Sequence, residues 1–173
     1  MGLWRFGLVV ATLATTVVNA AAAQTADPGF YRNTYVARTA VNGLCLDVSG
    51  GRMQPGDALI IWPCHGGANQ RLYPAPANPS DVGRGGAQLV VGGRDGRLCL
   101  ESPSSPGSRP YLAVCNDGTR RQFWRQDRAG RSIVNESSSL CLDVEGGRGE
   151  QGTAVLTSPC NGRTNQLWTF ERR

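Results

Sequence analysis

Six cysteines, one histidine and a set of dispersed carboxylates are the groups from which this chain could build chemistry. Three times a cysteine is followed by leucine and an acid: Cys45-Leu46-Asp47, Cys99-Leu100-Glu101 and Cys141-Leu142-Asp143. Each is answered by a second cysteine, Cys64, Cys115 and Cys160, at separations of 19, 16 and 19 residues. Metal thiolates fit this badly. Paired zinc ligands sit roughly two to four residues apart, and the only histidine, His65, stands alone. No serine elbow, no metal-binding histidine pair and no cysteine–histidine nucleophile can be assembled. Carboxylate pairs such as Glu101 with Asp95 or Asp117 are generic. The expectation is no enzyme, no metal and no cofactor.

These residues recur because the chain repeats. The copies read NGLCLDVSGG…IIWPCHGGANQRLY, DGRLCLESPS…LAVCNDGTRRQFW and SSLCLDVEGG…LTSPCNGRTNQLW. The first cysteines are spaced by 54 and then 42 residues, and the longer step holds PAPANPSDVGRGG, a Pro/Gly-rich loop insertion. Six cysteines allow fifteen pairings; the repetition selects one disulfide inside each copy, Cys45–Cys64, Cys99–Cys115 and Cys141–Cys160. Each contributes about 2–4 kcal/mol by restricting the unfolded chain. Short segments rich in Leu, β-branched and aromatic residues, bounded by Gly, Pro, Asn, Asp or Ser, read as strands. They are LCLDV, ALIIW, QLVVGG, LCLES, YLAV, SIV, LCLDV, AVLTS and LWTF. No helical period is sustained beyond the first residues. The fold class is all-β, and three equivalent units favour a closed threefold arrangement, since one unit cannot bury its apolar face alone.

The 173-residue chain opens with Arg5, an apolar run GLVVATLATTVV and the small-residue stretch NAAAA, the pattern of a cleaved signal peptide over 1–23. A linker is expected over 24–35 and one domain over 36–173, with repeats at about 36–78, 86–128 and 129–173. No other apolar stretch is long enough to span a membrane. The expected location is secreted or periplasmic. The formal charge is +5, and all 18 basic residues are arginine. The denser run Arg120, Arg121, Arg125, Arg128 and Arg131 reads as a solvated face. Without a series of stacking aromatics it does not predict a nucleic-acid partner.

Three Cys-Leu-acid units, each followed by Gln-x-Trp or its variant (Gln70-Arg71-Leu72, Gln122-Phe123-Trp124, Gln166-Leu167-Trp168), resemble the ricin-type β-trefoil family over about residues 36–171. The resemblance implies a six-stranded barrel capped by three hairpins. It implies that Trp124 and Trp168 pack into the barrel base, with Leu72 in their place in the first copy. It also implies a carbohydrate site. A pyranose needs a flat aromatic against its C–H face and fixed polar groups for its hydroxyls. A carboxylate accepts from two neighbouring hydroxyls at charge-assisted strength, and an amide both donates and accepts. By resemblance, Asp47 reads hydroxyls, Trp62 stacks, Asn69 contacts sugar and Gln70 orients the acid. Ile60 stands where a further polar contact, often Gln, is usual. His65 reads as an exposed residue in the lip of the site.

The second copy has Glu101 for Asp, Ala113 for the aromatic and Arg121 for Asn, so it is expected to be inactive, its carboxylate displaced by the extra methylene. The third keeps Asp143, Asn165 and Gln166 but has Ser158 at the platform, which makes it a weaker second site. The competing assignment is structural: Asp47 and Asp143 satisfying backbone donors at turns, with Asn69 and Gln70 as hinges. Trp62, at a strand end beside Pro63 and a glycine-rich lip, is awkward as core. The implied function is a secreted lectin for galactose or N-acetylgalactosamine type ends, or for arabinose- or xylose-containing polysaccharide. Its partner is then a glycan, free or conjugated. The alternative is a non-catalytic adhesion or toxin-delivery subunit that uses the same fold for contact with a protein partner.

Overall fold

The computed structural model describes residues 33–76, 86–127 and 129–173. The expected leader over 1–23, linker residues 24–32, positions 77–85 of the insertion and Arg128 lie outside the described residues. Twelve strands form one sheet. The first lobe contributes β1 (Tyr35–Thr39), β2 (Cys45–Val48), β3 (Leu59–Trp62) and β4 (Leu72–Pro76). The second contributes β5 (Ala87–Val91), β6 (Leu98–Glu101), β7 (Tyr111–Val114) and β8 (Phe123–Gln126). The third contributes β9 (Ile133–Asn135), β10 (Leu140–Val144), β11 (Val155–Pro159) and β12 (Trp168–Arg172). Strand β1 takes in Tyr35, the last residue of the expected linker.

The barrel runs β12-β1-β4-β5-β8-β9, and the Trp168 N–H donates to the Arg131 carbonyl at 2.7 Å, joining β12 to the chain just ahead of β9. The hairpins β2–β3, β6–β7 and β10–β11 cap it, which makes the fold a β-trefoil. Three strands escaped the sequence reading: β1, β4 and β8. Strand β4 is the informative one, because Pro74 and Pro76 were expected in a loop and instead pair with Leu89 and Ala87 of β5. Two prolines two residues apart put both missing N–H groups on one strand edge, and β1 pairs with β4 only at Leu72, so that edge has no ladder to break.

Burial follows the repeat. Leu72, Trp124 and Trp168 are at most 3% exposed and join one core cluster with Leu46, Leu100 and Leu142. Each indole still finds a partner for its N–H, as a buried Trp requires. Trp124 Nε1 donates to the Leu100 carbonyl at 2.8 Å and Trp168 Nε1 to the Leu142 carbonyl at 3.1 Å. One disulfide forms within each lobe, Cys45–Cys64, Cys99–Cys115 and Cys141–Cys160. The hairpin loops lock the lobes in a ring. Gly56 N–H donates to the Leu112 carbonyl at 2.7 Å, Gly107 N–H to Thr157 at 2.7 Å and Gly152 N–H to Ile61 at 2.8 Å.

Candidate functional site

Strand pairing defines three equivalent positions. The residue opposite the first cysteine is Trp62 in the first lobe, Ala113 in the second and Ser158 in the third. The residue opposite the acid is Ile60, Tyr111 and Leu156 respectively. Hairpin register therefore aims the acid and the platform residue from adjacent strands.

Behind each acid sits a buried glutamine at the end of a short 3₁₀ turn: Gln70, Gln122 and Gln166, all at most 1% exposed. Gln70 Nε2 donates to Asp47 Oδ2 at 2.7 Å and to the Pro63 carbonyl at 3.0 Å, while its Oε1 accepts from His65 N at 2.8 Å and Gly66 N at 3.1 Å. Both donors and both lone pairs are used, which is what lets a polar side chain lie fully buried. Gln122 repeats the pattern with Glu101, Val114 and Asn116, and Gln166 repeats it with Asp143, Pro159 and Asn161. This hub joins hairpin, loop and barrel strand, so the glutamine is a structural element in all three lobes.

The first lobe adds an open front. Asp47, Gly50, Gly51, Ile60, Trp62, His65 and Asn69 line a pocket of about 260 Å³. Asp47 is 3% exposed, and Asn69 Nδ2 donates to its Oδ1 at 2.8 Å. Trp62 is 37% exposed, unlike the core tryptophans. The structure thus brings Asp47, Trp62 and Asn69 together around one space, with Gln70 behind them. The acids do not serve as turn caps: Asp47 and Asp143 are each held by the side-chain amides of an Asn and a Gln.

His65 is exposed in the lip of the pocket, as the sequence reading has it. Its Nε2 lies 3.3 Å from Asp47 Oδ2, and Gly67 N–H donates to its Nδ1 at 3.1 Å. With Nδ1 taken up by Gly67, Nε2 is the ring nitrogen that lies beside the carboxylate. Gly67 permits this seat: a Cβ there would come within 2.8 Å of the imidazole and of Asn69 Oδ1. The glycines of HGGAN were the available signal, since bare backbone allows a side chain to fold over it.

In the second lobe Glu101 is 5% exposed and does not leave its glutamine; Gln122 Nε2 donates to Oε2 at 2.9 Å. The extra methylene instead turns Oε1 to Arg121 Nη2 at 2.7 Å and to the Tyr111 hydroxyl at 2.9 Å. Burial, then the hydrogen bond to Glu101 and its charge, push the Tyr111 phenol above its ordinary value, against a lowering by Arg121. The front is filled from within. Two members of the arginine run are thereby explained, because Arg125 also pairs with Glu136 at 3.0 Å.

The third lobe keeps the back and the amide. Asn165 Nδ2 donates to Asp143 Oδ1 at 2.6 Å and Gln166 Nε2 to Oδ2 at 2.8 Å. Ser158 provides no ring. Among the described residues no group of three or more His, Cys, Asp or Glu could hold a metal, and no helix is long and apolar enough to cross a membrane.

Comparison with known proteins agrees with this geometry. The family model described as the ricin-type beta-trefoil lectin domain matches residues 33–168. Polypeptide N-acetylgalactosaminyltransferase 9 of Macaca fascicularis is 26% identical over 140 residues, covering 77% of this chain and 22% of that protein. The agglutinin of Ricinus communis is 26% identical over 121 residues, covering 68% of this chain and 19% of its own. The chain thus spans about a fifth of the length of these curated relatives. The C-half of the earthworm R-type lectin, solved in complex with GalNAc, has the same fold, with a TM-score of 0.65 at 19% identity over 82% of this chain and 99% of that one.

Proposed function

The chain belongs to the ricin-type beta-trefoil lectin domain family, whose general function is carbohydrate binding, and we propose that it acts as a secreted, non-catalytic lectin with its principal site in the first lobe. The observation that carries this reading is the joint presence, in one open pocket, of an exposed Trp62 ring and a buried Asp47 carboxylate fixed from behind. A pyranose stacks its C–H face on Trp62 and donates two neighbouring hydroxyls to Asp47. Asn69 and Gln70 hold the carboxylate in one orientation, so its ordering entropy is already lost before the ligand arrives. A carboxylate offers about four acceptor positions; Asn69 and Gln70 take two of them, and the incoming hydroxyls take the other two, beside the His65 ring.

Galactose or N-acetylgalactosamine type ends are the proposed ligands. Support comes from the earthworm neighbour, solved with GalNAc, and from the N-acetylgalactosaminyltransferase relative. A single shallow site binds weakly, and firm attachment needs several sites on one particle or surface. A glycan array probed with the chain and with Trp62→Ala tests the proposal. Binding of a defined set by the wild type and its loss in the variant is the expected result. Equal binding by both, or none by either, would overturn it.

A further inference from the structure

Trp62 stands at the end of β3, and β3 is held by a neighbour from another lobe. Ile61, fully buried, lies between Ile60, which faces Asp47, and Trp62. Its N–H donates to the Thr153 carbonyl at 2.9 Å, and its carbonyl accepts from Gly152 N–H at 2.8 Å. Ile60 bridges Ala154. The supporting turn is itself braced, since both Thr153 N–H (3.1 Å) and Thr153 Oγ1 (2.7 Å) donate to the Glu150 carbonyl. Asn42 of the first lobe also donates to the Gly149 carbonyl. The strand carrying the platform is therefore clasped by third-lobe backbone.

Gly152 is one of three equivalent glycines. Gly56, Gly107 and Gly152 have φ of +92°, +78° and +85°, where side chains are disfavoured. They differ in what a side chain would meet. A Cβ on Gly56 or Gly107 would have nothing within 4 Å, whereas one on Gly152 would lie 3.7 Å from Trp62 Cζ3. The loops from Gly56 and Gly107 dock on strands whose platform residues are Ala113 and Ser158; of the three, Gly152 is the one whose partner strand carries an aromatic at the platform position.

We infer that Gly152 of the third lobe is a positioning residue for the first-lobe platform, fixing the Trp62 strand through its N–H and leaving room beside the indole. A lobe without a platform of its own thus helps to set the geometry of its neighbour's. The inference rests on the carbohydrate reading only for its effect on affinity; the effect on Trp62 is independent of any ligand.

The test uses Gly152→Ala, Gly152→Asn and Gly107→Ala. Asn tolerates positive φ, so it carries the test if the alanine variant does not fold. Iodide quenching of Trp62 fluorescence, with Trp62→Phe as background, reads the platform directly, because Trp124 and Trp168 are 2% exposed. All variants should melt earlier than the wild type. Only the Gly152 variants should change the quenching, and only they should weaken glycan binding, by about threefold to thirtyfold. Altered quenching with no glycan bound even by the wild type would uphold the positioning role and sink the lectin reading. Quenching and affinity unchanged at Gly152, with melting lowered as at Gly107, would overturn the inference and leave a turn glycine.

Discussion

In the first lobe the carboxylate of Asp47 keeps one side toward a pocket under an exposed indole, while in the second the carboxylate of Glu101 is closed by Arg121 at 2.7 Å and Tyr111 at 2.9 Å. Behind both acids the same glutamine makes the same contacts. The difference separates two jobs that the sequence motif runs together. The acid–glutamine pair belongs to the scaffold and is present whether or not anything can bind. On the lectin reading, binding capacity rests with what covers the front of the acid and with the residue opposite the first cysteine. The third lobe is intermediate, with the front amide present and Ser158 in place of the ring.

The scaffold half of this comparison gives the largest expected effect. Replacing Gln70, Gln122 or Gln166 with Ala takes one partner from a buried acid and leaves the backbone groups that the glutamine served without theirs, and each should cost about 2–4 kcal/mol. Thermal denaturation should show similar losses in all three lobes; a loss confined to the first would break the separation of roles. Next comes Trp62→Ala, which should lower glycan affinity roughly tenfold or more. It should leave stability within about 1 kcal/mol, since the side chain is already partly in solvent. Calorimetric titration alongside a melting curve reads both.

The converse substitution, Ser158→Trp, should raise the number of glycan sites per chain from one to two, with affinity in the third lobe improved by about tenfold. Unchanged stoichiometry would mean that the third lobe lacks more than a ring. The smallest effect is in the second lobe. Because the Tyr111 phenol sits above its ordinary value of 10.0, the folded state favours its protonated form. That contribution is complete below the unfolded value and is lost as pH rises through the folded one. Ultraviolet titration of phenolate should find Tyr111 ionising late, earlier in Glu101→Gln and later still in Arg121→Asn.

Much of this was legible because the chain states it three times. The Cys-Leu-acid and Gln-x-Trp units located the hairpins, the core tryptophans, the disulfide pairs and the residues that meet in the first lobe. What escaped was whatever depends on contacts between segments distant in the chain. Prolines 74 and 76 looked like loop because their tolerance in β4 depends on how far β1 extends beside it. His65 was read as exposed in the lip of the site and is so, but its approach to Asp47, 18 positions earlier on another strand, was not legible. Arg121 read as a lost asparagine and part of a basic run; that it would reach Glu101 and shut the site needed the three-dimensional register. Gly152 carried no signal at all, since its meaning lies in Trp62 of another lobe.

The buried glutamine also has a historical consequence. A residue kept for folding is protected from drift, and the acid it holds is protected with it. Binding can therefore be lost in a lobe without erasing the parts that are hardest to regain. On the lectin reading, the third lobe keeps the acid, the amide and the glutamine and differs from the first at the platform, so the number of glycans one chain can grip is a quantity that can change while the fold stays constant.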